Sequence, residues 1–333
     1  MDGQPRANPT LPPSNLARLQ PRHVSWLLHP AMWCVVAAMI AAGLVTLLWH
    51  PELMPSYRDL VWSPYSGLVL AGNALVSFVM TGLHEFAHLA TARAAGAPAR
   101  MSFGTRLQFL VVQTDVSGVW AAPRRARITV YLAGIAVNFA LAALFVLLLA
   151  ILQPPESTAR LLRCAALLAI APLSFQLLIF MRTDIYFLVQ DLSRCPNLYA
   201  EGSAYLRYLA RRARAVLRPS ASPPPNPTKS RPRRERRAVQ AYSWVLLIGT
   251  VTSIAVAATV GVPAAIVLIG NAIVQLTGPS VTTRLDASAA LLVVGGMQLL
   301  WMRAWWRRHG GRVRDWIRGR ADRVQEGGAA SGD

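Results

Sequence analysis

Apolar runs about as long as a bilayer is thick recur along this chain, and they constrain its fold more than any other feature. In lipid every backbone N–H and C=O must find a partner inside the protein, so only helices and closed barrels can span it. Uninterrupted apolar stretches, without strict alternation, choose the helix. The reading is an all-α polytopic membrane protein with about six transmembrane helices. The spans fall at 31–49, 65–95, 128–152, 161–181, 240–260 and 287–305. Residues 264–277 are too short for a span and suit a re-entrant segment. The first span is too long for a signal h-region and is read as retained.

Six further segments organise the chain. Residues 1–30 form a polar, Pro-rich tail, and 31–198 a membrane-embedded core. Residues 199–218, with Arg207, Arg211, Arg212, Arg214 and Arg218, read as an amphipathic interfacial helix. Residues 219–238 form a basic Pro/Ser/Arg linker expected to be disordered. Residues 239–306 hold the C-terminal transmembrane segments, and 307–333 a basic tail. Inside the core, the β-branched run from Arg106 to Val116 is expected to be a small membrane-associated β element after the second span.

The formal charge is +19, nearly all of it arginine, with Lys229 the single lysine. No aromatic–basic nucleic-acid module accompanies it, so nucleic acid is not the expected partner. Arginine-rich loops in a membrane protein mark the cytoplasmic side and contact with anionic lipids. Residues 93–127, 194–237 and 303–323 carry the arginines, whereas 50–64 and 153–160 do not. This pattern places both termini in the cytoplasm. The three cysteines, Cys34, Cys164 and Cys195, show no CxxC spacing, so they suggest neither a disulfide framework nor a cysteine metal site.

Inside the second span lies His84-Glu85-Phe86-Ala87-His88. Two imidazoles four residues apart share one helix face and can hold one zinc ion, with Glu85 free to act as a base. Ionisable groups at bilayer depth are expensive and read as functional. A catalytic zinc takes three protein ligands and leaves one position open. Asp184, after the fourth span, is the expected third ligand, and Asp191 is its rival. In the third span, Asn138 can donate to a developing oxyanion or bond a neighbouring helix. Ala133, Gly134 and Ala136 allow close helix approach.

Taken together, His84-Glu85-Phe86-Ala87-His88, Gly134-Ile135-Ala136-Val137-Asn138 and Asp184 resemble the site-2 protease family of intramembrane zinc metallopeptidases. Thr114 to Trp120, Pro123 to Arg127, Arg182 to Phe187, Asp191-Leu192 and Pro196-Asn197-Leu198 are similar to a bacterial peptide zinc metalloprotease branch of it. The resemblance covers about residues 65–200. It implies that His84, His88 and Asp184 ligate one catalytic zinc, that Glu85 is the general base, and that Asn138 sits near the substrate carbonyl. It implies a membrane-associated peptide or protein as substrate and a bacterial inner membrane as location. Ile185 departs from the pattern, which usually has glycine after the ligand aspartate. That departure motivates a second reading: a zinc-binding membrane protein without turnover, acting in peptide binding or export.

Overall fold

A computed structural model describes residue 16 and residues 19–106, 109–217, 225–256, 258–259 and 262–329. Among the described residues, six helices are long and apolar enough to cross a membrane, as the apolar runs predict. They are α1 (Pro30–Trp49), α2 (Ser66–Ala94), α3 (Arg124–Leu152), α4 (Glu156–Gln176), α7 (Arg233–Val256) and the first part of α9 (Val281–Ala329). Between α4 and α7 lie the short α5 (Asp184–Ser193) and the amphipathic α6 (Leu198–Leu217). The 14-residue α8 (Val262–Gln275) packs on α9 and is too short to span alone. Most of the polar tail expected over 1–30 lies outside the described residues; its described end, Pro21–Leu28, forms short helical turns before α1.

Local chemistry sets the helix ends. His29 caps α1 by accepting from Ala31 N–H, with Pro30 in the first turn. Gly96 takes φ +74 after α2, and Ala97 N–H returns to the Ala92 carbonyl at 2.9 Å, a glycine stop that turns the chain toward the hairpin. Gln153 is left-handed before Pro154 and Pro155, which cannot continue α3. No side chain of Tyr65 caps α2; the Asp286 carboxylate reaches across from α9 and accepts from Gly67 N–H at 2.6 Å.

α3 is the hub, packing against α1, α2 and α4. Small residues permit this: a Cβ on Gly43 would lie 2.8 Å from the Ala143 methyl. One buried cluster (Leu89, Ala92, Ala97, Ala99, Val119, Val130) lies where α2, α3 and the hairpin connection meet. A second (Phe180, Tyr186, Cys195, Leu198, Tyr242, Leu246) joins α5 and α6 to α7. Leucines and valines exposed on the spans face what would be lipid, where exposure carries no penalty. The loop before α2 is strapped to α4. Arg163 Nε donates to Asp59 at 3.0 Å, and Ser56 N–H donates to the same carboxylate at 2.7 Å. Burial presses the Asp59 carboxyl upward, but those two donors outweigh it and hold it below the ordinary carboxylate range.

Several boundaries differ from the sequence reading. The β element is an antiparallel hairpin, β1 (Arg100–Arg106) and β2 (Phe109–Asp115), rather than one strand over 106–116. Arg100 pairs with Asp115 and Arg106 with Phe109, so the expected single strand took in all of β2 and only the last residue of β1. The fourth span starts at Glu156 and ends at Gln176, five residues before the expected end, and a 3-10 turn (Ile179–Met181) follows. The disorder expected over 219–238 does not extend to the described part of that segment. Residues 218–224 lie outside the description, Thr228 is buried, and α7 begins at Arg233. Arg231 has two acidic partners, Glu201 and Glu235, which tie down a stretch that is too polar to form a core of its own. The basic tail from 307 continues α9 as helix to Ala329.

Candidate metal centre

Met80, His84 and His88 recur every four residues on α2 and form a buried stripe. On α3 the matching stripe is Val130, Gly134, Asn138 and Ala142, also buried. The two stripes run antiparallel and face each other. The His88 ring reaches Val130, the His84 ring reaches Asn138, and Met80 packs against Ala142. Gly134 lies between, where a Cβ would sit 2.5 Å from the Nε2 atoms of both histidines. The absent side chain leaves a cradle in front of the imidazoles.

Asp184 enters this cradle from α5, 100 residues beyond His84. Its Oδ2 lies 3.0 Å from His84 Nε2 and 3.1 Å from His88 Nε2, and the two Nε2 atoms are 3.1 Å apart. Donors bound tetrahedrally at about 2.0–2.1 Å from one ion lie roughly 3.3 Å apart, so this triangle has the scale of a metal site.

The hydrogen bonds behind the triangle decide its chemistry. His88 Nδ1 lies 2.7 Å from the Val130 carbonyl, which can only accept, so that nitrogen carries the proton. His84 Nδ1 donates in the same way to Asn138 Oδ1 at 3.3 Å. With Nδ1 bonded outward, each ring turns its Nε2 inward toward a carboxylate oxygen, and a ring that ligates a metal there presents the Nε2 lone pair. Three acceptors at about 3 Å repel one another unless a cation sits among them. A proton satisfies one pair; a divalent ion satisfies all three. Among the described residues, His84, His88 and Asp184 form a group of donors that could hold a metal ion, and backbone and amide partners on the outer ring nitrogens are usual for such ligands.

The other expected site residues fall close by. Glu85 is half-buried on the next position of α2, and Thr114 Oγ1 from β2 donates to its backbone carbonyl at 2.9 Å. Asn138 is fully buried, and its Nδ2 has no hydrogen-bond partner. The rival ligand Asp191 is not at the centre. Arg127 holds it in a two-point pair, Nη2 to Oδ1 at 2.7 Å and Nε to Oδ2 at 3.2 Å. The pair ties α5 to the start of α3, and Arg127 also lies over the Trp120 ring. Ile185 is helical with negative φ, so the backbone conformation after Asp184 does not require glycine; a left-handed residue, Arg182, lies two positions earlier.

Three partners escaped the sequence reading. Gln176 binds Asp184, the Val130 carbonyl orients His88, and Thr114 ties the hairpin to α2. A polar residue in the last turn of an apolar span was the available signal for Gln176. A main-chain carbonyl leaves no such signal.

A family model described as peptidase family M50 matches residues 73–300. The match includes all five candidate residues and runs past residue 200 into α7 and α9, well beyond the stretch legible as a resemblance. No curated protein and no solved structure matches the chain significantly.

Proposed function

The chain belongs to peptidase family M50, and from that premise we propose that it is a zinc-dependent intramembrane endopeptidase acting on a membrane-associated protein or peptide. Membership makes it a membrane metallopeptidase; the roles of individual residues are our reading. The observation that carries it is the convergence of His84, His88 and Asp184, from two distant stretches, into one triangle of inward-facing lone pairs. Two imidazoles and a carboxylate are a zinc donor set that leaves a fourth position for water or substrate.

Bound there, zinc would supply Lewis acidity and bring the pKa of a water from about 15.7 toward about 7. Glu85 then takes the proton of the attacking water on its carboxylate and later returns it to the leaving amine. Glu85 is suited to this because no hydrogen bond among the described residues occupies its carboxylate, while Thr114 fixes its backbone. The unpartnered Asn138 Nδ2 can donate to the carbonyl oxygen as negative charge develops. His84 and His88 keep their orientation through Asn138 and Val130. A helical substrate hides its carbonyls, so cleavage requires an extended segment, and an edge of the β1–β2 hairpin beside Glu85 could hold one by strand pairing.

The arginine distribution supports cytoplasmic termini, and the resemblance to a bacterial branch of the family supports a bacterial inner-membrane location. Arg207, Arg211, Arg212 and Arg214 are exposed on α6, which supports contact with anionic lipid headgroups.

The test compares purified wild type with Glu85→Gln for zinc content and for cleavage of membrane-associated reporter peptides. Equal zinc with cleavage reduced about 10²–10⁴-fold is expected. Wild-type cleavage by the variant would remove Glu85 from the mechanism. Stoichiometric zinc without cleavage of any reporter would favour the binding or export reading. The backbone of Ile185 is ordinary helix, which weakens the conformational part of that reading's motive.

A further inference from the structure

Gln176 is the last residue of α4 and is half-buried. A primary amide presents donors and an acceptor in one plane. Gln176 directs both to a single residue: Nε2 donates to Asp184 Oδ2 at 2.7 Å, and Oε1 accepts from Asp184 N–H at 2.9 Å. Its own carbonyl accepts from Thr183 Oγ1 at 2.9 Å. Between these contacts the chain leaves α4, passes through Ile179–Met181, turns left-handed at Arg182 with φ 57, and returns. One side chain thus closes the loop that delivers the acid.

The choice of partner matters. Arg182 is two residues from Asp184 and carries the charge that would ordinarily pair with it. Its guanidinium lies instead over the Tyr199 ring, 5.8 Å from the centroid. Among the described residues the carboxylate is bonded by His84, His88 and Gln176, with no arginine among them. A cation would neutralise the carboxylate and compete with a metal for it; a neutral amide orients it and leaves its charge intact.

We infer that Gln176 is the positioning residue for the metal-binding carboxylate, fixing the Asp184 side chain so that Oδ2 faces the imidazole pair without cancelling its charge. This rests on Asp184 being the third ligand in the reading above. Removing such an outer partner typically weakens metal binding about 10–100-fold.

The experiment uses the full-length protein in detergent. Zinc affinity is measured by chelator competition, and thermal unfolding is followed on the metal-free form. Q176L should weaken zinc about 10–100-fold while leaving the metal-free unfolding midpoint at the wild-type value, and its cleavage should recover as zinc is raised to saturation. Q176N keeps the amide but is one methylene too short to span both atoms of Asp184; it should fold and weaken zinc at least about tenfold. Wild-type zinc affinity in either variant overturns the assignment, as does lost metal-free stability with unchanged affinity. D184A is run alongside: if it holds zinc as tightly as wild type, the ligand reading itself fails, whatever the Gln176 variants do.

Discussion

Replacing Gly134 with alanine would place a methyl carbon 2.5 Å from His84 Nε2, His84 Cε1 and His88 Nε2. Non-bonded carbon and nitrogen settle at about 3.5 Å or more, so roughly 1 Å of separation must be found. The rings cannot swing aside freely, because Asn138 and Val130 hold them from the same helix that carries the methyl. Relief requires either α3 to move off α2 or both outer ring hydrogen bonds to break. Overpacking of this kind costs about 1–3 kcal/mol. Alanine over glycine in a helix returns about 1 kcal/mol, so the metal-free protein should lose at most about 2 kcal/mol.

The effect on the centre is larger. A displacement of about 1 Å at a reacting site costs about 10²-fold in turnover, and the methyl also occupies the space onto which the three lone pairs converge. G134A should therefore fold, bind zinc at least about tenfold more weakly, and lose about 10²-fold or more in cleavage. Zinc content, chelator competition and thermal unfolding with and without metal separate these effects. If helix propensity alone governed the site, the variant would be more stable than wild type and equally active. That result would show that the imidazoles do not face Gly134 and would refute the geometry.

Two further perturbations test the surroundings. Asp191→Ala strands the Arg127 guanidinium, and breaking a buried pair costs about 3–5 kcal/mol when burial is complete; with Arg127 partly exposed, a loss of about 1–3 kcal/mol is expected, with zinc stoichiometry unchanged, and a folded variant lacking zinc would restore Asp191 as a ligand. Asp59 links stability to pH: its folded value lies below its unfolded value, so its contribution is complete above about pH 4 and is lost as pH falls through the lowered value. Thermal midpoints from pH 7 to pH 3 should therefore fall more steeply for wild type than for Asp59→Asn, and parallel curves would remove Asp59 from the acid limb.

The sequence made the spans legible because lipid allows so few backbone solutions. Every predicted span has a counterpart among the six candidate helices, with ends displaced by a few residues. The ends were harder because they depend on particular partners. Asp286 caps α2 from a span 219 residues away, and Arg231 orders the linker by pairing with Glu201. The hairpin was read as one strand because no Gly or Asn in the sequence marks a break between Arg106 and Phe109. The candidate triad was legible from residue type and spacing. Asp184 was preferred over Asp191 because it follows the span directly; the reason Asp191 is excluded was not legible, and the structure supplies it by giving Asp191 a guanidinium and Asp184 an amide.

The remaining unsatisfied polar groups then point to the reaction. Around the triangle, each outer ring nitrogen has an acceptor, and Asp184 N–H and Oδ2 both bond Gln176. Two groups stand outside this closed set: Asn138 Nδ2, buried without a partner, and the Glu85 carboxylate, for which no hydrogen bond is found among the described residues. A buried donor left unsatisfied costs about 1–3 kcal/mol, and such groups persist where function uses them. A peptide carbonyl turning into an oxyanion needs a donor, and a water turning into a nucleophile needs a base. In the mechanism proposed above, these two unengaged groups serve as that donor and that base, on the facing helices that flank Gly134. G134A should therefore lower turnover and zinc affinity together, whereas Asn138→Ala should keep the fold, lower the turnover number at saturating zinc by about 10²–10³-fold, and weaken zinc by no more than the loss of about 10–100-fold expected when His84 loses its outer partner. If Asn138→Ala instead loses zinc as completely as a variant lacking Asp184, the amide serves the imidazole alone and the donor must be sought elsewhere.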